Sequence, residues 1–217
     1  ANSDLLGTDG DYYGSTSPIA SYYKGTKTSV NTYRWNYNAG NSTSNDWSTS
    51  LLNITNLNTN FTTKIGTSWS NKITTTIWKI GGNVWGYIGI QNAKTVYKNE
   101  ITSSAINSTV SLKVGLMYVS DYMYAASPTY WTLVGYNSDV TKDYRVAANN
   151  NWMCMGVNEW TITPHSDVYR VFYVHIQGYI YNVISGNTLA ARPVLVLESS
   201  ITYNSGLGTM DKPIIIN

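Results

Sequence analysis

Few residues of this 217-residue chain are equipped for covalent chemistry. The two histidines, His165 and His175, are the natural acid–base groups near neutral pH, but no G-x-S-x-G elbow accompanies them. Cys154 is the sole cysteine, which excludes an internal disulfide and a cysteine-built zinc site. Its place between Met153 and Met155 reads as a small core residue. Asp121 and Glu159 lie beside aromatic segments and could pair as the two carboxylates of a glycan hydrolase; capping and ordinary hydrogen bonding are the competing roles. Asp9-Gly10-Asp11 lacks the further carboxylates of a calcium loop and reads as a turn. Gly206 and Gly208 follow a strand but open no helix, so phosphate cradling is not expected. The chain is therefore expected to be non-catalytic, with no cofactor and no metal.

Non-covalent binding fits the residues better. Asn151, Trp152, Trp160, His165, Tyr169, Tyr173, His175, Tyr179 and Tyr181 cluster late in the chain. Tyr and Trp supply large contact area at low entropic cost, and Asn supplies adaptable hydrogen bonds, as in antibody paratopes. Over 168–174, alternation sets Val168, Arg170, Phe172 and Val174 on one face and Tyr169, Val171 and Tyr173 on the other. The expected register turns Val168, Phe172 and Val174 inward and Tyr169 and Tyr173 outward, with His175 on the tyrosine face. A half-exposed strand without a ligand would show the same alternation.

Composition narrows the class. Only 12% of residues are charged, while Asn, Ser and Thr make up 73 of the 217, with 19 Tyr and 8 Trp. A net charge of +2 offers no polyanion-binding surface, so nucleic acid is not an expected partner. A 42% hydrophobic content supports a core and argues against disorder. Low charge with abundant Asn, Thr and Tyr points to an exported bacterial surface protein. No apolar run approaches 18 residues, so neither a membrane span nor a signal peptide is read here, and a leader or anchor is expected to be missing from the chain.

The elements that must position these residues are read as follows. Residues 1–44 form an N-terminal extension of loops and short strands packing on the domain. Ser44-Asn45-Asp46 can cap a helix whose apolar face is Trp47, Leu51, Ile54, Leu57, Phe61 and Ile65. Residues 72–79 are a short helix or a strand, 84–90 a strand, and 91–110 a polar connection. Residues 114–119 read as a buried strand, followed by a helical turn capped by Ser120. Residues 168–174 and 178–183 form a hairpin, 194–197 a central strand, 205–209 a turn and 213–216 a final strand. Early helices and a β-rich C-terminal half indicate an α+β fold.

Several segments together resemble a family of exported proteins from gut Firmicutes. Asn45-Asp46-Trp47-Ser48 with Leu57-Asn58, the block 111–126 (SLKVGLMYVSDYMYAA), and Asn151-Trp152 followed by 158–164 (NEWTITP) are similar to its motifs. So are Val171-Phe172-Tyr173-Val174 with Gly178, 191–197 (ARPVLVL) and the tail 205–213. The likeness covers roughly residues 45–217, and its specificity lies in the combination. It implies a C-type-lectin-like domain of the formylglycine-generating-enzyme variety over 45–217, in which the Trp160–Pro164 and Arg192-Pro193-Val194 segments bracket the ligand-facing surface. Relatives with this fold are targets of diversity-generating retroelements, which favour Asn, Tyr, Ser, Asp and His, and 165–187 is rich in these. A lone Cys154 departs from the enzyme's copper-binding cysteines, and the calcium-dependent sugar motifs of animal lectins are absent.

The resulting expectation is a surface-displayed or secreted ligand-binding domain, adhesin- or receptor-like, whose partner is a protein or a glycan. Many family members carry a prepilin-type N-terminal helix, so a structural subunit of a surface filament is the alternative, and the Asp121/Glu159 hydrolase a weaker one.

Overall fold

Asn and Thr are poor helix formers, so the 47–65 stretch must hold its winding by other means. It does so with side chains. Asp46 Oδ1 accepts the Ser48 amide at 2.9 Å and caps a short 3₁₀ turn, Trp47–Thr49. The following Leu52–Phe61 helix is wound as a π-helix. Asn53 Nδ2 donates to Trp47 O at 2.8 Å, and Thr59 Oγ1 donates to Ile54 O at 2.8 Å. The wider winding shifts the buried stripe to Leu52, Asn53, Asn56 and Leu57, and Ile54, expected inside, is exposed.

The computed structural model describes residues 3–6, 12–18, 29–36, 44–81, 88–102, 106–136, 144–209 and 211–217. Twelve short strands are described: β1 (Tyr12–Pro18), β2 (Ser29–Arg34), β3 (Thr76–Gly81), β4 (Ile106–Leu112), β5 (Val114–Gly115), β6 (Glu159–Pro164), β7 (Arg170–Val174), β8 (Ile180–Ile184), β9 (Thr188–Leu189), β10 (Val194–Leu195), β11 (Tyr203–Ser205) and β12 (Ile215–Ile216). Their ladders are antiparallel, in the orders β1-β2-β9, β6-β7-β8, β3-β4, β10-β5 and β11-β12. Few helices and many short antiparallel strands make the chain compatible with the α+β class. From Glu159 on the described elements are all strands, but helices continue to Asn149, and three strands lie in the first half with β4 across the midpoint.

The sheet β6-β7-β8 divides the interior. Trp160, Ile162, Val171 and Tyr173 face one core with Tyr33, Trp35, Trp47, Leu52 and Leu57. Phe172, Val174 and Ile180 face a second with Met117, Tyr122, Met123, Ala147 and Cys154. Because both faces are covered, β7 has no solvent side, and Tyr173, expected outward, is buried. Val168, expected inward, is 67% exposed, since it lies in the turn before the strand begins at Arg170. Of residues 1–44, Leu6, Tyr33 and Trp35 join the first core: β2 pairs with β9, and Trp35 Nε1 donates to Thr161 O at 2.9 Å.

Other expectations shift too. The 91–110 connection contains the Ala93–Tyr97 helix, a π-wound Lys98–Thr102 and most of β4. Of residues 72–79, read as a short helix or a strand, 76–79 are strand, the first part of β3, and the residues before them form a turn and an isolated bridge at Ile73. Ile88–Ile90 is a 3₁₀ turn where a strand was expected; 84–87, like Asp9-Gly10-Asp11, lie outside the described residues. Only Val114–Gly115 of 114–119 is strand, and the central strand expected at 194–197 is the two-residue β10, half-exposed beside β5. The hairpin is formed as expected, with Tyr173 opposite Tyr181 and Val174 opposite Ile180.

Candidate ligand-binding groove

On the second-core side of β6-β7-β8 three segments converge on a groove of about 680 Å³, a size typical of small-ligand sites. The Val119–Tyr124 helix brings Asp121 and Tyr124, with Met117 just ahead of it and Ala125 just after. The turn after Asn150 brings Trp152 and Met153, and the stretch into β10 brings Arg192, Pro193, Val194 and Leu195.

Each wall is fixed by specific bonds. Asn151 is buried; its Nδ2 donates to Tyr122 O at 2.6 Å and its Oδ1 accepts the Met153 amide at 2.9 Å. Asn151 therefore builds the turn, and its neighbour Trp152 is held out into solvent, 76% exposed. Ala190 pairs with Glu159, so Arg192, two residues on, comes alongside the same carboxylate. Arg192 Nε donates to Glu159 Oε1 at 2.7 Å, and Nη2 donates both to Oε2 and to Met153 O, the latter at 2.9 Å. The bidentate pair neutralises a buried Glu159 and locks the guanidinium against the groove wall.

The helix beneath the groove is held by buried Glu100, whose role in the fold its sequence context did not signal. Its Oε1 accepts the Val119 amide at 3.0 Å and the Thr163 hydroxyl, and its Oε2 accepts the Ser120 amide at 3.1 Å. The carboxylate thus satisfies the first free N–H groups from outside the helix. Burial pushes the Glu100 carboxyl up to about 7, against these hydrogen bonds. Tyr118 is the N-cap, and Asp121 Oδ2 accepts its amide at 2.9 Å; Ser120, expected to cap, is the second residue of the helix. Partial withdrawal from water holds the Asp121 carboxyl above its usual range.

The nine candidate binding residues separate into groups. Trp152 alone lines the groove. Trp160 is fully buried, its indole N–H donating to Tyr33 O at 2.7 Å, and offers no surface to a ligand. Asn151 and Tyr173 are likewise interior. Tyr173, Tyr181, Tyr179 and His175 form an aromatic ladder where the hairpin emerges: Tyr173–Tyr181 centroids lie 6.2 Å apart, and His175 stacks on Tyr179 at 4.0 Å. His175, Tyr179 and Tyr181 are its accessible members. His165 packs against Phe172 at 5.1 Å, its Nδ1 accepting the Asp167 amide at 2.9 Å, and Tyr169 is exposed beside Arg170. Burial lowers the pKa of both His165 and His175, which favours neutral rings.

Of the suggested hydrolase pair, Asp121 lies in the groove while both Glu159 oxygens are taken by Arg192. Met117, Tyr124, Met153 and the 192–195 stretch were not among the residues singled out as binding, although Arg192-Pro193-Val194 belongs to a segment implied to border the ligand face. Among the described residues no cluster of His, Cys, Asp or Glu could hold a metal ion, and no helix is long and apolar enough to cross a membrane. Comparison with known protein families, curated proteins and solved structures finds no match.

Proposed function

We propose that this chain is a non-catalytic ligand-binding domain, displayed at or secreted from a bacterial surface, and that its ligand sits in the groove beside Trp152. The observation that carries this reading is the exposure of Trp152 on an internally bonded turn. A tryptophan 76% exposed leaves a large apolar area in water, while Asn151 bonds its turn to Tyr122 and Met153. Interfaces use aromatic anchors of this kind, because an indole offers a large contact area while only two side-chain torsions are fixed on binding. The groove supplies apolar floor from Met117 and Met153 and polar groups from Asp121 and Arg192. The low-charge, Asn- and Tyr-rich composition supports the exported setting, and the motif likeness supports a lectin-like framework. The test is Trp152→Ala: loss of at least about tenfold in affinity for any bound ligand, with stability held within about 0.5 kcal/mol. Unchanged binding would refute the location.

The filament-subunit reading is favoured by a different observation. Leu207, Ile214 and Ile215 around the β11–β12 hairpin are exposed, beside an apolar groove of about 470 Å³ formed by Phe61, Ile65, Trp69, Ile73, Leu197 and Ile216. Such a continuous apolar surface suits assembly. Light scattering decides it: self-association abolished by Leu207→Ser with Ile214→Ser supports assembly, and a monomer at high concentration opposes it.

A further inference from the structure

Accepting the groove as the binding site, its chemistry also restricts what enters. We infer that the ligand presents an organic cation, a substituted ammonium group, to Asp121 and the rings of Trp152 and Tyr124.

Charge is the first ground. The groove and its wall hold two carboxylates, Asp121 and Glu159, against one guanidinium, Arg192. Arg192 is paired to Glu159, whereas Asp121 has no ion-pair partner among the described residues. Asp121 lines the groove and is exposed, and its carboxylate accepts the Tyr118 amide. The pocket therefore presents net negative charge, with buried Glu100 under the same helix adding to it when ionised.

The apolar lining is the second ground. Met117, Met153, Pro193 and Val194 offer no side-chain hydrogen-bond donor. A polyhydroxylated ring seated among them would leave hydroxyls unpaired, at a cost in affinity. A substituted ammonium has the complementary build: one charge for Asp121 and apolar methyl groups for the methionines. Aromatic faces and thioethers are favourable neighbours for such a cation. Tyr124 is steadied for this role by an edge contact with Trp131 at 5.1 Å and 85°.

The test compares choline with its neutral isostere 3,3-dimethyl-1-butanol, read on the indole N–H signals of ¹⁵N-labelled protein, with the Trp152 signal assigned by its loss in Trp152→Phe. Choline is expected to move that signal saturably, with a Kd at least about tenfold below that of the isostere. Asp121→Asn, which keeps an oxygen for the Tyr118 amide, should weaken choline about tenfold and leave the isostere unchanged. Equal affinities, or a choline response insensitive to Asp121→Asn, would overturn the cation while leaving the groove as a binding site. A Trp152 signal unmoved by choline also overturns the cation; whether the groove survives is then read from other ligands through Trp152→Ala.

Discussion

Arg192 holds Glu159 in a bidentate ion pair in which the carboxylate is almost wholly buried and the guanidinium also carries Met153 O. The pair joins the start of β6 to the groove wall. Removing one partner strands the other. Arg192→Ala should cost about 3–5 kcal/mol, because a buried carboxylate is left uncompensated. Arg192→Ala with Glu159→Gln should recover part of that loss. Urea denaturation checks both, and additive costs would show that the two side chains act independently.

Trp152 and Trp160, eight positions apart, should behave as opposites. Trp160→Ala empties a fully enclosed site and removes the indole donor to Tyr33 O, for a predicted loss of about 3–5 kcal/mol. Trp152→Ala should leave the melting temperature nearly unchanged. Comparable losses in the two variants would contradict the assignment of Trp160 to the core and Trp152 to the groove.

Gly178 closes the β7–β8 hairpin at φ +89°, and a Cβ there would lie 2.2 Å from the Ala148 Cβ. Gly178→Ala meets both a left-handed backbone and a packed neighbour, so a loss above about 1 kcal/mol is expected. Because the hairpin tip is also tied through Gly178 O to the Tyr122 hydroxyl at 2.8 Å, amide exchange should quicken at His175 and Tyr179. Parent-like exchange there would show that the tip does not depend on this glycine.

Glu100 makes stability depend on pH in a direction opposite to a salt-bridged carboxylate. Its folded pKa, about 7, exceeds the reference 4.5. Its contribution is therefore fully present below about 4.5 and is lost as pH rises through about 7. His165 and His175, with lowered pKa, act the other way, adding stability as pH rises towards their unfolded value. Subtracting the stability curve of Glu100→Gln from that of the parent isolates the carboxyl. The difference should decline by up to about 3 kcal/mol between pH 4.5 and 7. A flat difference would contradict a buried, protonatable Glu100.

Patterns that local spacing controls were legible in the residues: the Asp46 cap, the β7–β8 hairpin and the mixed class; the β-rich C-terminal half holds only in part, because a helix runs to Asn149. Burial on both faces of a sheet was not legible, because alternation cannot tell a solvent face from a second core; Tyr173 went inside for that reason. The winding after Trp47 also escaped, since it depends on Asn and Thr side chains bonding to distant backbone, as Asn58 does with both Val114 N and O. Much of the Asn excess is thereby structural: Asn45 alone donates to three carbonyls, of His165, Asp167 and Arg170. Of the groove, Trp152 was named for its type, while Asp121 was weighed as a catalyst or a capping residue, and it does cap, through the Tyr118 amide. Their meeting requires the Val119–Tyr124 helix and the Asn151 turn to converge, a long-range relation without a local signature.

The most direct measurement is a map of ligand-induced shifts. The protein, labelled at methionine methyls and indole nitrogens, is screened against sugars, amino acids and amines at millimolar concentration. Saturable shifts are expected to centre on Trp152, Met117 and Met153, with Trp160 unmoved. Shifts centred instead on the His175–Tyr179–Tyr181 ladder, or none from any solute, would contradict a binding site beside Trp152.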